Sequence, residues 1–391
     1  MHHPTEPQVA RAAITARAAA GATDQVATQS APPAGVAPTV VDRARTEPID
    51  PPPAGLLLPE GGTVCLFRAL PGIGDMLCVV PALRAIRTNR PDVRVTLVTL
   101  PVAAGMAARY GRYVDEILEF PGFPGLPDRR PDVRAIPGFL ASMHERRFDL
   151  AVQLHGIGDR TNDVVRLFGA RRTAGFHPRG TPPPEAARYL PWREAEHEVQ
   201  RWLRLLRHLG LPSDDTRLEL PLADDADEQA DVVLAEALGA RARERYVVVH
   251  PGASVASRRW SPRGFSTVID RLVAAGSSVL LTGDARERPL NALVRSMTAE
   301  PDRVADIAGR TTIDGLAAVL RRADLLVSND TGVSHVAAAI GTPSVVVFTD
   351  TDPARWAPLD AALHHPMGGG SARRVAEEAL RMLRRRRSHA A

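Results

Sequence analysis

Thr63-Val64-Cys65-Leu66-Phe67-Arg68-Ala69-Leu70-Pro71-Gly72-Ile73-Gly74-Asp75 decides how the chain folds. Its first five residues are a short apolar run of the kind that forms a buried strand. A turn containing two glycines follows, and then a helical stretch to about Arg87. Strand, glycine turn and helix in that order make the first half of a βαβ unit.

The same alternation continues outward from this unit. Strands are expected at Val93–Leu97, Val114–Phe120 and Leu150–Leu154, with helices at Pro101–Tyr110, Phe139–Arg146 and Glu196–Leu209. A Pro- and Asp-rich segment, Leu211–Asp227, then interrupts the pattern, which restarts with strands at Tyr246–Val249, Ser278–Leu281, Leu325–Val327 and Ser344–Phe348. The chain is therefore read as an N-terminal Rossmann-like domain over 60–210, a linker region over 211–242 and a C-terminal Rossmann-like domain over 243–371. Residues 372–391 form a last helix and basic tail. Residues 1–59 are rich in Ala, Pro, Thr and Gln and poor in large apolar side chains, the composition of a disordered leader, with a short helix conceivable near Val9–Ala20. Two doubly wound α/β halves joined by a linker fit the GT-B architecture. There, ligands lie in the cleft between domains, and functional residues sit just after the strands.

Composition removes several chemistries. All 49 basic residues are arginine, so there is no P-loop or Schiff-base lysine. Cys65 and Cys78 show no metal-ligand spacing and read as small buried hydrophobes. No apolar run approaches the roughly 20 residues of a membrane span, and the N-terminus lacks a signal sequence. A cytoplasmic location is expected. The net charge of +4 permits anionic substrates without pointing to nucleic acid. The run Arg384–Arg387 fits either a solvated helix end or contact with anionic lipid at the inner membrane surface.

Three loops after strands carry candidate chemistry. In the first, Gly72 and Gly74 allow backbone to approach a ligand, but no third glycine completes a dinucleotide fingerprint. Asp75 is either a helix N-cap or, if Pro81 delays the regular helix, a carboxylate projecting from a turn as a general base. In the second, His250-Pro251-Gly252-Ala253-Ser254 with Ser257-Arg258-Arg259-Trp260 is either a phosphate site or an exposed basic loop. The third, Ser328-Asn329-Asp330-Thr331-Gly332-Val333-Ser334-His335, opens a helix whose free amides suit a diphosphate. His335 is there either a structural histidine or a neighbour of that phosphate. Asp350-Thr351-Asp352 imitates a metal-binding DxD, but it follows the last strand and runs into Pro353, so no metal is expected.

Together these loops resemble glycosyltransferase family 9, the lipopolysaccharide heptosyltransferases. The matching stretches are Leu70–Leu77 continuing to Pro81–Ile86, His250–Ser254 with Arg258–Pro262, and Ser328–His335 through Thr351-Asp352-Pro353. The resemblance implies an inverting, metal-independent enzyme that moves a heptose-type sugar from a nucleotide donor, ADP-heptose, to an acceptor hydroxyl, without a cofactor. It makes Asp75 the catalytic base. It puts Gly74, Ser254, Arg258, Asp330, Thr331, Gly332 and His335 around the donor, with Arg258 in place of a usual lysine, and Glu287 at the ribose. The acceptor would be a glycan, a glycolipid or a natural-product intermediate. His155, Arg160 and Asn162, which follow the strand at Leu150–Leu154, are candidates to bind it. Rival readings on the same scaffold are a nucleotide-sugar epimerase and a non-catalytic nucleotide-sugar-binding protein.

Overall fold

The computed structural model describes residues 58–241 and 244–389. The expected leader, with its short helix, therefore falls almost wholly outside the described residues. In chain order the first half contains β1 (Thr63–Phe67), α1 (Ile73–Asn89), β2 (Arg94–Thr99), α2 (Pro101–Ala107), β3 (Glu116–Glu119) and α3 (Ile136–Glu145). It continues with β4 (Leu150–Gln153), α4 (Arg160–Arg166), β5 (Thr173–His177), β6 (Tyr189–Pro191) and α5 (Glu198–His208). The second half contains α6 (Ala226–Leu238), β7 (Tyr246–His250), α7 (Pro262–Ala274), β8 (Ser278–Leu281), α8 (Arg288–Ser296) and β9 (Val304–Asp306). It closes with α9 (Ile313–Arg322), β10 (Leu325–Asn329), α10 (Gly332–Ile340), β11 (Ser344–Phe348), α11 (Pro353–Trp356), β12 (His364–Gly368) and α12 (Ala372–His389).

Each half is a six-stranded, all-parallel sheet, and the two share one topology. The orders are β3-β2-β1-β4-β5-β6 and β12-β11-β10-β7-β8-β9. In each, the chain reverses direction between the first and fourth strands, β1 with β4 and β7 with β10. A crevice opens beyond the strand ends at such a reversal, and ligands bind there. The glycine loop after β1, the His250 loop after β7 and the Ser328 loop after β10 all leave strands at these two points.

The central strands are apolar on both faces because helices cover both. Along β1, Val64 and Leu66 enter one core while Cys65 and Phe67 enter the other, the period of two that a strand imposes. Along β7, Val247 and Val249 alternate with Tyr246 and Val248 in the same way. Within 211–242, expected as a connection, α6 buries Ala230, Val233 and Leu234 in the core beneath β7 and β10. α12 returns against α7 and buries Val375, Ala379 and Leu383. No helix among the described residues is long and apolar enough to cross a membrane.

Of the two starts that Pro81 left open, α1 takes the earlier one. It starts at Ile73 and runs unbroken through Pro81 instead of starting near it. A mid-helix proline costs roughly 3 kcal/mol. The helix also buries Met76, Leu77, Val79, Val80, Leu83 and Ile86, each worth about 1.5–3 kcal/mol. Burial outweighs the proline, and Asp75 consequently sits on the first helical turn.

Candidate active site

The two halves meet where α1 and α10 start. A glycine on each helix makes room for a side chain of the other: a Cβ on Gly74 would lie 2.7 Å from the His335 ring, and one on Gly332 would lie 2.3 Å from Ile73. Beside this seam lies a cleft of about 1110 Å³, lined from both halves. It brings together Gly74, Asp75, Ser254, Arg258, Glu287, Asp330, Thr331, Gly332 and His335. These residues are more than 250 positions apart at the extremes and come from loops after β1, β7, β8 and β10.

Asp75 does not cap its helix; Gly72 is the N-cap residue and no side chain bonds to the first-turn amides. One carboxylate oxygen, Oδ1, accepts from Arg68 Nη2 at 3.2 Å, and the same nitrogen donates to the Asp75 carbonyl at 3.0 Å. The other oxygen lies over Gly72, where a Cβ would stand 2.4 Å from it. Arg68 is only 2% exposed. Its Nη1 donates to the Leu154 carbonyl at 2.9 Å and lies 3.6 Å from Glu198, and its guanidinium stacks 4.9 Å from the centre of Trp202. Glu198 is itself buried and also pairs with Arg201 and, across the interface, with Arg355 of α11 at 3.4 Å. The carboxylate that faces the cleft is thus anchored from behind by a buried ionic network.

The opposite wall is cationic and rich in amides. Arg258 ends a tight turn after the His250 loop, and its guanidinium has no hydrogen-bond or ionic partner among the described residues; Arg259, beside it, donates to the Ala253 carbonyl. Thr331 is the extended N-cap residue of α10, so the amides of Gly332 and Val333 have no acceptor within the helix. Asp330 is buried and accepts from Thr351 Oγ1 at 2.6 Å. Burial pulls the His335 imidazole below the usual histidine range, against the opposing pull of Asp330, Asp75 and Glu198. It therefore enters the cleft as a neutral ring, with Nδ1 3.8 Å from Cys78 Sγ.

Glu287 lies at the far end of the cleft. Burial works against its charge, but hydrogen bonds from His250 Nε2 at 3.2 Å and the Asp284 amide at 2.9 Å carry its carboxyl below the ordinary range. Its Oε1 sits where a Cβ on Gly252 would be. The two acids of the DxD lookalike serve elsewhere: Asp350 accepts from Ser257, and Asp352 caps α11 through the Ala354 amide.

None of His155, Arg160 and Asn162 lines the cleft. Asn162 is on the buried side of α4 and donates to the Phe176 carbonyl, while Arg160 donates to Gly125. His155 is buried behind Asp128, a cleft residue that the sequence did not single out. Arg68 and Glu198 were missed too. Arg68, a charge closing an apolar strand beside a glycine loop, was the one legible hint.

A family description of glycosyltransferase family 9 (heptosyltransferase) matches residues 142–371. The chain belongs to this family. It is a glycosyltransferase. Lipopolysaccharide heptosyltransferase 3 of Escherichia coli strain K12 is 25% identical over 73% of this chain and 82% of its own length. The fold is that of the glycosyl transferase family 9 protein from Veillonella parvula DSM 2008, with a TM-score of 0.68 at 19% identity, covering 84% of this chain and 99% of that one. The ADP-heptose heptosyltransferase II of E. coli superposes with a TM-score of 0.63 at 19% identity, over 83% and 99% of the two chains. Two Rossmann-like domains facing one cleft are therefore the family architecture as well as the geometry seen here.

Proposed function

We propose that this family 9 glycosyltransferase transfers a heptose from ADP-heptose to an acceptor hydroxyl with inversion at the anomeric carbon and without a metal ion. The observation that carries the reading is the pairing of an anchored carboxylate, Asp75, with a cationic and amide-rich wall in one cleft. The donor follows from the relatives, one of which is named for ADP-heptose.

In this reading the ADP diphosphate lies against the amides of Gly332 and Val333, with Arg258 beside it and Glu287 at the ribose. The acceptor hydroxyl attacks the anomeric carbon from the face opposite the leaving diphosphate. An alcohol is far less acidic than a carboxylic acid, so its proton moves to the carboxylate late, as the new C–O bond forms. Positioned acid–base catalysis of this kind contributes about 10²–10⁴ in rate. As the C–O bond to the diphosphate breaks, Arg258 and the helix amides take up the growing charge. Donors already aimed at that position do work that a metal ion would otherwise do. We place the enzyme in the cytoplasm, with exposed Arg384, Arg385 and Arg386 able to face an anionic membrane surface.

Asp75→Asn keeps the shape and removes the base. With ADP-heptose and an acceptor, turnover should fall by about 10²–10⁴ while ADP affinity by calorimetry stays within twofold. Product NMR should report the inverted anomer, and EDTA should leave the rate unchanged. Wild-type turnover in Asp75→Asn would remove the proposed base.

A further inference from the structure

The cleft is chemically divided. Its lining arginines, Arg258, Arg259 and Arg286, all belong to the second half. The first half contributes the loop Leu70–Asp75 and, from the long connection between β3 and α3, Asp128. Charge on that wall is therefore carboxylate only among the described residues.

Asp128 is held as firmly as Asp75, by different means. Its Oδ2 lies 3.0 Å from His155 Nε2. The Ala69 amide donates to the other ring nitrogen, Nδ1, at 3.2 Å, so the ring proton is on Nε2 and is donated to Asp128. His155 is 6% exposed and stacked on Phe67 with ring centres 5.2 Å apart, so it cannot swing away. Among the described residues no group donates to the remaining oxygen, Oδ1. Of the arginines around it, Arg129 donates to the Phe120 carbonyl, Arg160 to Gly125, and Arg68 stands behind Asp75, while Arg130 is exposed and does not line the cleft.

We infer that Asp128 is an acceptor-binding residue and that the acceptor sugar is neutral at the ring it presents, a polyol without phosphate or carboxylate there. A fixed carboxylate with an unused oxygen accepts strongly from a sugar hydroxyl. The same oxygen, with Asp75 on the same wall, repels an anionic substituent, and among the described residues no first-half cation lines the cleft to compensate it. The inference rests on the cleft being the transfer site, with the acceptor on the first-half wall.

The test uses the full chain loaded with ADP and offers methyl glucoside and methyl galactoside against their 6-phosphates and the matching methyl uronates. Saturation-transfer NMR reads binding of each sugar, and the ADP resonances in the same tube report the donor site independently. Neutral glycosides should bind at least tenfold more tightly than their anionic counterparts. Asp128→Asn should weaken neutral binding by about tenfold or more, shrink the gap between the two classes, and leave the ADP signal intact. Equal binding of both classes, no binding of either neutral glycoside, or an unaltered gap in Asp128→Asn overturns the inference. Loss of the ADP signal from the wild type instead overturns the reading of the cleft itself.

Discussion

Gly74 of α1 and His335 of α10 touch across the domain seam, so that a methyl group on residue 74 would stand 2.7 Å from ring carbon Cδ2. The ring is buried, with Cys78 on one side and Trp356 on another, and it borders the cleft. Asp75 is the next residue along α1 and Asp330 lies five residues before His335, so the distance between the two walls of the cleft is set by this contact.

Gly74→Ala should therefore be more harmful than a helical Gly→Ala usually is. Overpacking a buried contact costs about 1–3 kcal/mol, and relief must come from parting α1 and α10 or from turning the His335 ring toward the cleft. We expect a lower melting temperature together with at least a tenfold fall in kcat, because both sides of the reaction move. Gly138→Ala in exposed α3, where an added Cβ meets nothing within 4 Å, is the control and should be neutral or stabilising by about 0.5–1 kcal/mol. Equal behaviour of the two variants would show that the seam yields freely.

Arg68 is a positioning residue: it contacts Asp75 from behind and does not line the cleft. Arg68→Met should lower kcat by about 10²-fold, the scale of a 1 Å misplacement, while KM for the nucleotide sugar changes less than threefold. The variant also leaves Glu198 with less positive charge around it, so some loss of stability is expected. Arg68→Lys separates the two effects. It keeps the charge and should recover most of the melting temperature, but an ammonium cannot hold the Leu154 carbonyl, the Asp75 carbonyl and the Asp75 carboxylate in one plane. Its kcat should remain depressed. Full recovery of kcat with lysine would reduce Arg68 to a buried countercharge.

The cleft-lining loops were readable because each is a short apolar strand followed by a cluster of Gly, Ser, Asn or Asp, a pattern local enough to see in ten residues. Of the four edge strands only β3 was. β6 and β9 have three residues each, and β12 reads His364-His365-Pro366-Met367-Gly368, without the β-branched residues that mark a buried strand. β12 pairs on one side only, with β11, which is why a proline is tolerated there. The start of α1 stayed open because a local rule about Pro81 cannot be weighed against a burial that only the fold reveals. Arg68 and Glu198 are 130 positions apart, and no periodicity connects them. The acceptor candidates after β4 were chosen by the correct topological rule, but that rule locates a loop and not the direction of its side chains. Asn162 falls on the inner face of α4, and His155 stands one residue behind the wall that Asp128 presents.

Arg109 and Asp314 join the halves at a second place, through paired contacts of 2.6 Å between the tight turn that follows α2 and the first turn of α9. Asp314 also accepts from the Ala223 amide at 2.9 Å, and its side chain is only 9% exposed. Asp314→Ala should cost about 3 kcal/mol, the lower end of the range for breaking a buried pair, because Arg109 is itself partly hydrated. The effect should depend on pH in one direction. The Arg109 hydrogen bond, aided by the Ala223 amide and opposed by burial, holds the Asp314 carboxyl below its ordinary value of 3.8. A carboxyl depressed in the folded state contributes its full stabilisation above the unfolded value and loses it as pH falls through the folded one. In urea unfolding, the difference between wild type and Asp314→Ala should be constant from neutral pH down to about the ordinary carboxylate range. Below that it should narrow. A difference that stays the same in acid, or that narrows toward neutral pH, would mean that the charge of Asp314 is not what holds α2 to α9.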